Sequence, residues 1–224
     1  MALRKRRTQF RALLVSCMVL IACAFTSASY AVDFVTDFPD SQGYSNLYVQ
    51  AFNPLTSQHR DLARIASFEF GTPEQVSSRV TVTRFYEKVL FAPCVDGPVY
   101  GTEWALLTYR VDKAGAYNIS GAFMGSRSGC DAKAYIMYNY NTAAKPFAKN
   151  VVYGDRWDFN LTNVQFNAGD YISFAVDSLG DHTRDSIGLT GSINKATLAA
   201  VPEPTSIAAL LMGLAGLVSI RRKK

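Results

Sequence analysis

From residue 46 to residue 194, apolar and polar side chains alternate with a period of two, broken at short intervals by Gly, Pro, Asn and Asp. Period two puts successive side chains on opposite faces of an extended chain, so this stretch predicts strands. Strands are expected over 46–52, 63–70, 79–91, 102–111, 116–124, 132–140, 148–153, 157–166, 171–176 and 186–194. The breaks between them carry turn residues, as at Pro54, Gly71-Thr72-Pro73, Asp112-Lys113-Ala114-Gly115 and Asn167-Ala168-Gly169-Asp170. In 102–111, Trp104, Leu106 and Thr108 share one face, and Ala105, Leu107 and Tyr109 share the other. In 116–124, Tyr117, Ile119, Gly121 and Phe123 align on one face. In 157–166 the apolar frame changes from Phe159 and Leu161 to Val164 and Phe166, which predicts a bulge at Thr162-Asn163. One helical turn within 59–65 is all the helix the body suggests. Many short strands with turns between them indicate an all-β body, a single antiparallel β-sandwich or jelly roll over 32–194.

Both ends depart from this pattern. Near the C-terminus, Pro202-Glu203-Pro204 is followed by an apolar run over 207–220 and by Arg221-Arg222-Lys223-Lys224. Each proline lacks an N–H and fixes φ, so a helix can start only at about Thr205 or Ser206. A run of about 14 residues spans roughly 21 Å, and snorkelling Arg221 and Arg222 help it reach across a hydrocarbon core of about 30 Å. The cations stay cytoplasmic, which puts the body outside the inner membrane. This gives a linker over 195–206 and a short transmembrane helix with its basic tail over 207–224. At the other end, Arg4, Lys5, Arg6, Arg7 and Arg11 precede an apolar segment over 12–24. Ser29-Tyr30-Ala31 then offers small residues for signal peptidase, with cleavage after Ala31, so 1–31 is expected to be a helical signal peptide. Two rivals exist: Leu20-Ile21-Ala22-Cys23 fits a lipoprotein box, and Arg6-Arg7 a twin-arginine signal with Phe10 one place too late.

The C-terminal arrangement resembles the PEP-CTERM sorting signal of Gram-negative bacteria. That resemblance implies recognition of Pro202, Glu203, Pro204, Arg221 and Arg222 by an exosortase, a membrane enzyme that processes the tail. It also implies an exported precursor held in the membrane, then a protein of the cell surface or extracellular matrix, because such sorting accompanies exopolysaccharide production. Four segments resemble a second pattern, that of secreted bacterial jelly-roll modules akin to carbohydrate-binding domains. They are Tyr109-Arg110-Val111, the run from Ala114 to Gly121, Asn167-Ala168-Gly169-Asp170-Tyr171-Ile172 and Asp185-Ser186-Ile187-Gly188-Leu189.

Setting the ends aside changes the charge. The whole chain is +5, but residues 32–200 hold 14 Lys and Arg against 17 Asp and Glu, a balance of −3. A mildly acidic body without basic and aromatic interleaving excludes nucleic acid as a partner. Cys17 and Cys23 fall in the signal segment, which leaves Cys94 and Cys130 as an even pair in an exported body, a candidate disulfide.

Catalytic motifs are absent from the sequence: no phosphate loop, no zinc spacing, no nucleophile elbow. Glu69, Glu87 and Glu103 would be the carboxylates of a glycan hydrolase, or plain strand carboxylates. Asp177, Asp181 and Asp185 would be oxygen ligands for a structural calcium ion, or an acidic loop. The aromatic residues point to sugar stacking. Within 135–141 the expectation is that Ile136, Tyr138 and Tyr140 face inward, leaving Tyr135 exposed beside Met137 and Asn139. Tyr135, Trp157 and Asn139 are therefore the candidate glycan contacts, and a noncatalytic exopolysaccharide-binding protein is the leading expectation. The alternative is a structural or adhesive surface protein without a small ligand.

Overall fold

The alternating stretches fold as strands and make up nearly all of the structure. The computed structural model describes residues 31–71, 80–93, 103–141, 147–179 and 186–196, all within the unit Tyr30–Ala196. In chain order the strands are β1 (Ala31–Asp33), β2 (Leu47–Asn53), β3 (Gln58–Asp61), β4 (Ala63–Ala66), β5 (Glu69–Gly71), β6 (Thr81–Phe85), β7 (Lys88–Ala92), β8 (Trp104–Arg110), β9 (Gly115–Gly125), β10 (Asp131–Tyr138), β11 (Phe147–Val152), β12 (Arg156–Phe166), β13 (Tyr171–Asp177) and β14 (Ile187–Lys195). The 8-stranded sheet has the order β12-β9-β14-β7-β6-β5-β4, with β1 also on β14, and the 6-stranded sheet has the order β11-β10-β13-β8-β2-β3. Every strand pair is antiparallel.

The two sheets bury their facing sides together. Val49, Leu107 and Phe174 from the smaller sheet share one core with Phe91, Phe123 and Leu189 from the larger. Phe174 sits among rings, 4.6 Å from Phe34, 5.8 Å from Phe159 and 6.4 Å from Phe123 between centroids. Full burial of one such side chain contributes about 1.5–3 kcal/mol. Gly121 and Gly191 lie opposite each other in the β9–β14 pair. A Cβ on Gly121 would fall 2.2 Å from the Thr190 carbonyl oxygen and 2.8 Å from the Phe159 ring. Gly191 takes φ 139°, where a side chain is strained. These two positions let Phe159 lie close over the strand crossing.

The expected bulge is present. The register of β12 on β9 shifts between Leu161 and Val164, and Asn163 adopts φ 57°. Asn118 fixes it by accepting the Asn163 N–H at 2.9 Å.

Three expectations need correction. The stretch 59–65 holds no helical turn; it forms parts of β3 and β4. The stretches 63–70 and 79–91 are not single strands, since each contains a turn between two strands. Those turns place Phe68 at φ 55° and Tyr86 at φ 53°, a region where Gly or Asn is the usual signal. Arg84 supports the first turn by donating its N–H to the Phe68 carbonyl at 2.9 Å and placing its guanidinium 3.5 Å from the Phe68 ring.

The short β1 escapes detection by alternation. Its Ala31 pairs with Asn194 and its Val32 with Ile193, so the chain enters and leaves the body at neighbouring positions of one sheet. Of the predicted signal helix (1–31) all but Ala31 lies outside the described residues, as do Cys94, Asp181, Asp185, the Pro-Glu-Pro motif and the predicted membrane helix with Arg221 and Arg222. Among the described residues no helix is long and apolar enough to cross a membrane.

Candidate functional site

The same alternation that fills the core gives the 6-stranded sheet a second, outer face. Tyr48, Gln50 and Phe52 of β2 point there, as do Trp104, Leu106, Thr108 and Arg110 of β8, opposite in parity to the core residues of those strands. This face is not polar. Phe52, Trp104, Leu106, Tyr135, Met137 and Ala175 form a buried cluster of their own. Trp104 and Tyr135 stack in parallel, 4.5 Å between centroids at 8°, and Phe52 leans on Trp104 at 5.7 Å. The Tyr135 hydroxyl donates to Asp177 Oδ2 at 3.4 Å. Burial first, and the Asp177 charge second, push its phenol far above the ordinary tyrosine value. The hydroxyls of Thr108 and Ser173 bond each other at 3.0 Å, fully buried, so this apolar layer leaves neither without a partner.

A backbone reversal roofs this layer. After β10, Asn139 and Tyr140 both adopt left-handed φ, 51° and 55°. Asn139 is suited to this, because its short side chain bonds locally. Its Oδ1 accepts the Tyr171 N–H at 2.7 Å, its Nδ2 donates to Asp170 Oδ1 at 3.1 Å, and its N–H donates to the Tyr171 carbonyl at 2.9 Å. The reversal swings Tyr140 onto the outer face. Its ring lies parallel to His59, 4.0 Å between centroids at 6°, and 5.2 Å from Tyr171. Its hydroxyl donates to Gln50 Oε1 at 2.8 Å, and Gln50 Nε2 donates to Asp61 Oδ1 at 2.9 Å. Burial pushes the Tyr140 phenol up to about 12, against the hydrogen bonds to Gln50 and Thr108, which lower it.

His59 is held in place from the sheet edge. Its neighbour Arg60 grips Glu103 in a two-point ion pair, Nε to Oε1 at 3.2 Å and Nη2 to Oε2 at 2.8 Å. That pair ties β3 to the residue preceding β8. The outcome is an exposed imidazole and two half-buried tyrosines, Tyr140 and Tyr171, resting on a packed aromatic floor. The arrangement offers apolar ring surface beside an exposed carboxylate, Asp61, which the buried Gln50 amide holds.

The sequence-predicted contacts do not assemble. Tyr135 is not exposed: it is 3% accessible, because both faces of β10 are buried. Trp157 belongs to the other sheet, half-buried and stacked on Phe123 at 5.5 Å. The two therefore form no common platform. Asn139 spends its amide on the backbone reversal. Asp177 accepts the Leu179 N–H at 3.0 Å as well as the Tyr135 hydroxyl. Among the described residues no cluster of His, Cys, Asp or Glu is fit to hold a metal. Cys130 is buried, with its Sγ 3.7 Å from the Val151 carbonyl. Glu69 lies in β5 of the 8-stranded sheet, Glu103 directly precedes β8 of the 6-stranded sheet, and Glu87 lies in the turn between β6 and β7.

The tyrosine and histidine patch was missed because sequence reasoning allowed each strand one buried face. The signal was there: 104–109 and 172–176 are nearly continuous apolar runs, which mark strands covered on both sides.

No curated protein matches the chain. Among solved structures, a CBM4 structure shares 14% identity at TM-score 0.33, covering 51% of this chain and 75% of that one. The K3 cleaved adhesin domain of Lys-gingipain from Porphyromonas gingivalis w83 shares 11% at 0.39, covering 75% and 100%. The CBM51 domain from Clostridium perfringens GH95, in complex with methyl-galactose, shares 9% at 0.36, covering 74% and 100%. At such distances the fold rests on the strand order itself. The address is firmer: residues 200–223 match the PEP-CTERM protein-sorting motif, so the β-sandwich is the body of an exosortase-sorted surface protein made as a membrane-anchored precursor.

Proposed function

We propose that this protein binds exopolysaccharide, without catalysis, at the surface or in the matrix of a Gram-negative bacterium. The observation that carries the proposal is the parallel His59–Tyr140 pair, continued by Tyr171, on the outer face of the 6-stranded sheet. Sugar rings present C–H faces that pack on aromatic faces, and nearby amides and carboxylates take their hydroxyls. Asp61 borders the pair, exposed, and supplies such a carboxylate, while the buried Gln50 amide holds both it and the Tyr140 hydroxyl in place. The noncatalytic character is supported by Glu103, whose two carboxylate oxygens are engaged by Arg60, and by its separation from Glu69 on the other sheet.

Calorimetry and gel retention with the host's own polysaccharide test this. His59→Ala removes an exposed ring and should weaken binding about fivefold, equal to about 1 kcal/mol, with the fold intact. Absence of heat and of retention for the unmutated protein overturns the proposal and leaves a structural surface protein.

A further inference from the structure

Beside Tyr171 the outer face carries an unused cation. Arg110 ends β8 on the parity of Trp104, Leu106 and Thr108 and is exposed. Four other arginines are occupied: Arg60 and Arg156 in ion pairs, Arg64 on two carbonyls, Arg84 on the Phe68 ring. Arg110 makes no hydrogen bond, ion pair or ring contact among the described residues.

Its surroundings are aromatic. Tyr171 is its direct partner across the β8–β13 pair, and antiparallel partners hold their side chains about 5 Å apart. Tyr48 stands opposite Thr108, one outward position along, and Tyr140 adjoins Tyr171. The local carboxylates are engaged elsewhere. Asp170 receives the Asn139 amide on Oδ1 and the Asn167 N–H at 2.7 Å on Oδ2. Asp112 receives the Tyr117 hydroxyl at 3.4 Å, and Asp61 receives Gln50.

A guanidinium is a planar fork that grips a carboxylate at two points, and it is weakly enough hydrated to do so beside a ring. A sugar carrying a carboxylate has both complements on one unit: an apolar C–H face for Tyr171 and an anion for Arg110. Given the glycan-binding proposal above, on which this rests, we infer that this corner is a subsite for a uronic-acid residue, and that the ligand is an anionic polysaccharide. The body's balance of −3 opposes the approach only weakly, because charges beyond about 8 Å are screened at physiological ionic strength. The short-range contact with Arg110 decides.

The test uses the full chain in detergent and two matched probes: polygalacturonate, and the same polymer with its carboxyl groups reduced to alcohols. Calorimetry should give about tenfold tighter binding of the acidic polymer. Arg110→Gln should erase that preference while leaving the reduced polymer's binding and the melting temperature unchanged. Arg110→Lys should keep part of it, as a point charge without the fork. Tyr171→Ala should weaken both polymers alike. Equal affinity of the unmutated protein for the two polymers, or a preference that survives Arg110→Gln, overturns the subsite and leaves glycan binding standing. Retention of neither polymer also overturns the subsite, and glycan binding is then judged by the host polysaccharide alone.

Discussion

Replacing Tyr135 by alanine separates a ring that is packed from one that serves as a surface platform. The ring is 3% exposed, lies 4.5 Å from Trp104 at 8°, and donates its hydroxyl to Asp177 at 3.4 Å. Truncation would open a cavity between Trp104 and Met137, in a layer roofed by Tyr140. Buried aromatic-to-alanine changes cost about 3–5 kcal/mol, and a site on the outer face relaxes more readily than the inner core, so about 3 kcal/mol is expected. Tyr135→Phe keeps the stack and gives up one long hydrogen bond, at a cost of about 0.5–1 kcal/mol. In urea, with a slope of about 2 kcal/mol per molar, the alanine variant should lower the midpoint by about 1.5 M and the phenylalanine variant by less than about 0.5 M. Tryptophan emission follows the transition, since Trp104 is the partner ring. A midpoint within about 0.3 M of the parent for Tyr135→Ala would refute the packed geometry. So would a Tyr135→Phe variant that folds normally but no longer binds polysaccharide.

Gly121→Ala should destabilise by about 2–3 kcal/mol, because the new Cβ meets the Thr190 carbonyl and the Phe159 ring; an unchanged thermal midpoint refutes the close crossing. Tyr140 ionises near 12 in the fold and near 10 when unfolded, so the unfolded state loses its proton first. Stability should therefore fall as pH rises from about 10 to about 12, by less in Tyr140→Phe, and a urea midpoint with the same pH dependence in both proteins refutes the assignment. Mature surface protein should lack the peptide from Ile207 onward in mass spectrometry; recovery of Lys224 there would indicate a permanent anchor. Cys94 and Cys130 should be resistant to alkylation in unreduced, denatured protein, and Cys94→Ala should cost about 3–4 kcal/mol by loop closure, whereas two alkylated thiols reject the bridge.

Much of the strand pattern was legible because half-buried antiparallel strands write their two faces into alternate residues. β9, β12 and β13 and the bulge at Asn163 follow directly from that alternation. The hairpins at Phe68 and Tyr86 were not legible, because local turn chemistry reads Gly and Asn; at Phe68 a cation over the ring and a cross-strand bond from Arg84 hold an unfavourable φ. The candidate site was hardest to see. Tyr135 looked exposed only because its neighbour Ile136 had to face the core. Which residues cover the second face depends on the reversal at Asn139, and on Tyr48 and His59 brought in from β2 and β3, residues distant in sequence. The sorting signal was legible throughout, since a membrane-processed tail must be recognisable as a linear segment.

The buried outer layer also bears on how the site would work. A ring held only by solvent pays rotamer entropy each time it meets a ligand, about 0.5–1.5 kcal/mol for a side chain immobilised on binding. Here Tyr140 is fixed before any ligand arrives, by the His59 stack, the Gln50 acceptor and the strained turn beneath it. The backbone strain of two left-handed residues costs on the order of 1–3 kcal/mol each and persists because the Asn139 bonds and the aromatic floor over-determine it. The outcome is a Tyr140 ring held rigid on the outer face. It fits a surface kept rigid for contact with a repetitive partner. Many copies displayed on one cell would then turn weak single contacts into firm attachment, provided that the polymer reaches several copies at once.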